Sequence, residues 1–176
     1  MNNIEVERVF LLKKLPEDLL EYKHIDIKIG DFTQNNDVDI LKARQKGDKF
    51  ELIKKETISD LERKEYVIPL SENEFNILFP VTSRKHSKKR FFYPLDKFTC
   101  EIDFYLEDML GYARAEVEFE SSKEAEEFTP PSWFGDEITS INHIIHEGLG
   151  EISFQTMEDR YKKRGIDLRD IQFDKG

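Results

Sequence analysis

Five pairs of like-charged side chains lie two residues apart along this chain. Glu5 and Glu7 flank Val6, Lys42 and Arg44 flank Ala43, Glu101 and Asp103 flank Ile102, and Glu116 and Glu118 flank Val117. Lys88 and Arg90 form the fifth pair. Successive side chains of an extended strand alternate between faces, so each pair projects from one face. A single pair of this kind reads as a solvated strand face. Five pairs read differently. If the apolar faces are covered by helices, the charged faces must turn towards one another. Enclosed carboxylates and cations are too costly to desolvate unless the charges meet each other or a ligand. Carboxylates suit a hard divalent cation such as Mg²⁺ or Mn²⁺. Lysine and arginine suit phosphate oxygens, with arginine able to bind them bidentately. The two sets together describe a site for metal and polyphosphate.

The elements that must hold these pairs follow from periodicity. Ile4–Leu11 alternates as a strand, with carboxylates on one face and Ile4, Val6 and Arg8 on the other. Lys13–Leu20 reads as a short helix begun near Pro16. A strand is expected over 25–32, then a polar loop at Gln34–Asp37. Residues 40–45 and 49–55 flank Lys46-Gly47-Asp48 as a hairpin, with another strand near 63–69. Ser71-Glu72-Asn73-Glu74 is a capping box for a helix through Phe79. Further strands are expected near 88–93, 99–106 and 112–119. A helix over 121–128 is ended by Pro130-Pro131, and others are expected over 136–148 and 156–164. About eight strands interrupted by helices make an antiparallel α+β pattern. Closing that sheet into a barrel, with helices packed outside, would remove its edges.

At 176 residues the chain suits one domain, with a core over about 3–150 and a helical tail over about 151–176. Fourteen phenylalanines supply core material. No apolar run approaches the roughly 20 residues of a membrane-spanning helix. The first residues lack the basic and apolar regions of a signal peptide. One cysteine, Cys100, allows no internal disulfide, so a cytoplasmic home is expected. The net charge of −10 disfavours duplex nucleic acid or anionic lipid as a partner.

The charged segments carry a more specific likeness. Glu5-Val6-Glu7-Arg8 resembles the E-x-E-x-K opening strand of the CYTH, or triphosphate tunnel metalloenzyme, family. Residues 41–55 are similar to its R-x-R, glycine-turn and L-T-x-K segment, and 63–70 to the strand that follows. Lys88 and Arg90 resemble its K-x-R pair, Glu101-Ile102-Asp103 its E-x-D strand, Ala115–Phe119 its A-E-V-E-F strand, and Glu137-Ile138-Thr139 its E-V-T element. The order is kept from Glu5 to about Leu149. The resemblance implies a closed tunnel of eight antiparallel strands holding Mg²⁺ or Mn²⁺ and a triphosphate. Carried over by position, Glu5, Glu7, Glu116 and Glu118 would bind metal, with Glu101 and Asp103 close by. Lys42, Arg44, Lys55, Arg63, Lys88 and Arg90 would bind phosphates, and Glu5, Glu7, Lys88 and Arg90 would act in catalysis. The activity implied is inorganic tripolyphosphate hydrolysis in a monomer or homodimer. Adenylate cyclase, thiamine triphosphatase or a non-catalytic polyphosphate- or nucleotide-binding domain are the alternatives. Three positions depart from the pattern: Val9 stands for the first lysine, Lys42 for an arginine and Ile53 for a threonine.

Other residues are set aside. His24, His86, His143 and His146 lack metal-ligand spacing, and Cys100 reads as a packed strand residue. Neither a P-loop, a Rossmann fingerprint nor a nucleophile elbow is present.

Overall fold

The computed structural model describes residues 4–32, 39–141 and 149–172. Nine strands carry it: β1 (Ile4–Leu12), β2 (His24–Asp31), β3 (Ile40–Lys46), β4 (Lys49–Thr57), β5 (Glu62–Leu70), β6 (Arg84–Leu95), β7 (Phe98–Tyr105), β8 (Ala113–Phe119) and β9 (Phe134–Glu137). Their order is β5-β4-β3-β2-β6-β7-β8-β1-β9, and β1 also pairs with β5. That extra pairing closes eight antiparallel strands into a barrel, the architecture expected because it removes the sheet's edges. Tight turns join β3 to β4, β4 to β5 and β6 to β7. The β3–β4 hairpin turns at Gly47, whose φ of +63° is a left-handed conformation that favours glycine.

The seam at β1 divides into two parts. Ile4, Glu5 and Val6 pair with Lys64, Arg63 and Glu62 of β5. Further along the same edge, Phe10 and Leu12 pair with Glu137 and Phe134 of β9. This corrects the helix expected over 136–148. The part of the β1 edge that β5 leaves open recruits Phe134–Glu137 as a strand, a tertiary pairing that outweighs local propensity. Thr139–Ile141 then forms a short 3₁₀ turn, and the rest of that expected helix lies outside the described residues, as do the Gln34–Asp37 loop, His143 and His146. The helix expected over 13–20 is likewise only a 3₁₀ turn, Leu19–Glu21, which buries Leu19.

Helix α1 (Glu72–Leu78) begins with the expected capping box: Glu74 N donates to Ser71 Oγ at 3.3 Å, and Ser71 N donates to Glu74 Oε2 at 2.7 Å. Helix α2 (Ser122–Glu127) and the segment Phe128–Phe134 cover the outer faces of β1, β7 and β8. There Phe10, Ile102, Val117 and Phe119 pack with Phe128, Phe134 and Trp133. These covered faces alternate with the charged ones, so the charges face inward. Arg8, on the outward face, bonds Glu137 and the carbonyl oxygens of Ala125 and Phe128.

Helix α3 (Phe154–Lys162) takes another place. Its Met157 and Tyr161 pack with Val9, Leu11 and Tyr105, which lie on the inward frame of β1 and β7, and with Tyr112, just before β8. The chain reaches this position through Gly150 (φ +87°), which lies so close to the Lys85 backbone that a Cβ would collide with it. The tail is therefore a plug, and the barrel is a cup. No helix among the described residues is long and apolar enough to cross a membrane.

Candidate functional site

The charged half of the interior surrounds a cavity of about 150 Å³. Of the predicted site residues, Glu5, Glu7, Lys42, Arg44, Lys55, Arg63, Lys88, Arg90, Glu101, Glu116 and Glu118 all line it. Asp103 does not. It is fully buried behind the wall, where Arg90 Nε and a terminal nitrogen donate to its two oxygens at 2.6 and 2.7 Å and Lys88 donates a further bond. Its place is beneath the cations, orienting them.

Strand register explains the convergence. Glu7 lies directly opposite Glu118 across β1–β8, and Glu101 opposite Glu116 across β7–β8. Arg90 lies opposite Asp103 across β6–β7. The like-charged pairs repel, and cations from neighbouring strands offset them. Arg90 bonds Glu101 and Glu116 as well as Asp103. Arg63 pairs with Glu7, and Lys55 with Glu5 and, at 3.0 Å, with Glu65. Arg44 donates to Glu51 at 2.7 and 2.9 Å. Burial works against the Arg90 charge, but Asp103 and Glu116 overcome it and hold the guanidinium above its ordinary range.

Several groups remain unfavourably placed. Burial raises the Glu5 carboxyl to about 7 against the pull of Lys55, with Glu7 and Glu65 adding repulsion. Glu118, at the exposed rim, is raised by desolvation and then by Glu116 and Glu7. Lys42 is lowered to about 7 by desolvation and by Lys55, Arg44 and Lys88. Desolvation and surrounding cations, Lys88 first, lower His86 to about 3, so it is neutral near pH 7. Six carboxylates and eight lysines and arginines line the cavity, an excess of two positive charges within a chain of net charge −10.

The residues present fit a divalent cation. Among the described residues, no three His, Cys, Asp or Glu side chains are gathered as a finished cage. The donors are nonetheless hard oxygens, and two carboxylate pairs stand face to face across β8. Basic side chains now pair with three of those carboxylates: Arg63 with Glu7, and Arg90 with Glu101 and Glu116. An anion that drew the bases away would leave the oxygens for a cation.

Sequence reasoning missed Lys46, Glu65, His86, Tyr105 and Arg114 as lining residues. The signal was present in each case. Arg114 precedes Glu116 by two, His86 precedes Lys88 by two, Tyr105 follows Asp103 by two, Lys46 follows Arg44 by two, and Glu65 follows Arg63 by two. Extending each inward frame by one step would have found them. Val9 belongs to the apolar plug and is fully buried. The cation on that side of the cavity is Arg114, opposite Leu11 in the β1–β8 register and bonded to Glu116.

No family model matches the chain. The inorganic triphosphatase of Nitrosomonas europaea is 33% identical over 147 residues, covering 82% of this chain and 95% of that protein. The crystal structure of the inorganic triphosphatase NE1496 superposes with a TM-score of 0.60 at 29% identity, over 84% of this chain and 94% of that one. A conserved hypothetical protein of Pyrococcus furiosus shares the fold at a TM-score of 0.54 and 17% identity, over 96% of this chain and 94% of its own. With a third of the 147 aligned residues identical across nearly the whole of the curated relative, this chain belongs to the inorganic triphosphatase family that the N. europaea protein represents.

Proposed function

We propose that this protein hydrolyses inorganic tripolyphosphate with the help of a divalent cation, Mg²⁺ or Mn²⁺, as a single-domain CYTH-type triphosphate tunnel enzyme. The observation that carries the reading is the basic excess enclosed in an acidic chain: eight cations against six carboxylates around one cavity. A linear triphosphate supplies negative charge along its length, and the cations stand on several strands rather than in one cluster. In this reading Lys42, Arg44, Lys55, Arg63, Lys88 and Arg90 bind phosphate oxygens. Glu5, Glu7, Glu116 and Glu118 hold the cation, with Glu101 beside them, while buried Asp103 positions Arg90 and Lys88. The cation supplies charge neutralisation at the phosphoryl oxygens. Phosphoryl transfer otherwise needs mainly positioning and electrostatic stabilisation. Arg90 and Lys88 give that stabilisation as charge develops on the leaving phosphate, and Asp103 keeps both preorganised.

The test is phosphate release from tripolyphosphate, thiamine triphosphate and ATP with Mg²⁺ or Mn²⁺, with cyclic AMP measured in parallel. Release from tripolyphosphate exceeding the other two, and abolished by EDTA, is expected. Absence of phosphate release from all three substrates would overturn the reading.

A further inference from the structure

Two buried polar atoms near the plugged end of the cavity have no hydrogen-bond partner: the Tyr105 hydroxyl and His86 Nδ1. Such groups are rare in folded proteins, because an unmade hydrogen bond forfeits the hydration the atom had in water. Both residues line the same cavity. Their rings stack with centroids 5.9 Å apart, and the nearest carboxylate oxygen to His86 Nδ1, on Asp31, stands 3.9 Å away. Lys88 Nζ and Arg114 Cζ lie 5.7 and 5.5 Å from the centre of the Tyr105 ring. Two cations thus lie over the Tyr105 ring, and its hydroxyl bonds neither of them. An anion entering among those cations would meet it as a donor.

The cup shape makes that position particular. Tyr105 packs at 4.8 Å against Tyr112, whose hydroxyl is in turn 3.1 Å from that of Tyr161 on the plug. A phosphate chain cannot pass this floor and must enter end first. We propose that Tyr105 and His86 form the seat for a terminal phosphoryl group, so that the site selects linear phosphate chains with a free end. The inference rests on the tripolyphosphate reading and adds to it a specificity element made of neutral donors. A phenol suits the task because it stays protonated near neutral pH and can donate one bond without adding a further charge to a crowded set of cations.

Tyr105→Phe tests the seat, because it removes the hydroxyl and leaves the ring and its contacts. Binding is measured by calorimetry, without turnover, for linear tripolyphosphate and for cyclic trimetaphosphate, which has no terminal group. The variant is expected to bind tripolyphosphate about tenfold more weakly, the value of one hydrogen bond to a charged acceptor. Its affinity for the cyclic ion should stay unchanged. The ligand-free variant should melt at the same temperature as the wild type or higher, because a buried unpaired hydroxyl has gone. Equal affinity of wild type and variant for tripolyphosphate would overturn the seat and leave the parent reading standing. So would an equal loss for linear and cyclic ions, since that marks a structural role. Failure of the wild type to bind tripolyphosphate at all would overturn both readings.

Discussion

Along β1 the inward face changes character between Glu7 and Val9. Glu5 and Glu7 face the cavity, while Val9 and Leu11 join Tyr105, Tyr112, Met157 and Tyr161 in the plug. The same barrel thus has a charged half, the proposed binding half, and an apolar half that holds it together. Buried ion pairs return little of the cost of desolvating their members. A fully buried large apolar side chain, by contrast, contributes about 1.5–3 kcal/mol. The apolar end and the outer core therefore stabilise a structure whose working end contributes little to its own cohesion. Site and scaffold are separable along a single strand, and substitutions on the two sides of that boundary should behave differently.

The largest effect is expected at Arg90, which joins Glu101, Asp103 and Glu116. Arg90→Ala would leave three carboxylates without their shared partner. Breaking a buried pair from one side costs about 3–5 kcal/mol, so the urea midpoint should fall steeply and turnover should vanish. A variant as stable as the wild type would show that water reaches the network and that the charged half is not enclosed. On the far side of the boundary, Val9→Lys inserts a long charged chain into a fully buried apolar position. Overpacking of this kind costs about 1–3 kcal/mol. The thermal midpoint should drop with no gain in tripolyphosphate affinity, whereas a gain would move the boundary and make position 9 part of the site.

The charged half was the more legible in the sequence, because period-2 alternation of charge is a local signal that closure turns inward. All five charged pairs were found, and only Asp103 proved to stand behind the wall rather than on it. The plug was not legible. The resemblance to the E-x-E-x-K strand makes Val9 stand for a lysine, and nothing adjacent to it in the sequence announces its place in the plug. Its neighbours in space come from Tyr105, Tyr112 and α3, roughly 100 to 150 positions away. For the same reason the expected helix over 136–148 takes in the last two residues of β9: Asp136 and Glu137 carry no strand signal, and the strand exists because an edge of β1 is left to pair.

A smaller effect, with a sign that depends on pH, is expected at half-buried Lys42. Its amine is lowered from an ordinary value of 10.5 to about 7, so the folded state resists its charge. The stability associated with the neutral amine is therefore present above about 10.5 and is lost as pH falls through about 7. Lys42→Met removes that penalty. At pH 6 the variant should be more stable than the wild type by about 1–2 kcal/mol, allowing for solvent screening, and the difference should shrink towards pH 10. Tripolyphosphate affinity should fall in the same variant. Binding to the wild type at pH 8 should take up protons, because an anion raises the Lys42 pKa. Calorimetry in two buffers of different ionisation enthalpy measures that uptake, and its absence would mean that Lys42 is already charged in the free protein.

The smallest change in stability is expected at the rim, and its direction separates binding from holding most sharply. Glu118 is exposed, lies directly opposite Glu7 and is raised by desolvation, Glu116 and Glu7. Like charges opposite one another on a sheet are destabilising by about 0.2–1 kcal/mol, so Glu118→Gln should stabilise the ligand-free protein by about that amount. If the facing carboxylates exist to share a divalent cation, the same substitution should raise the Mn²⁺ concentration needed for half-maximal binding. That concentration can be followed without substrate by the relaxation of water protons around Mn²⁺. A residue serving only the scaffold cannot produce both outcomes, because its loss lowers stability and leaves cation binding alone. Glu118→Gln that destabilised the protein and bound Mn²⁺ as before would place the rim on the holding side of the boundary.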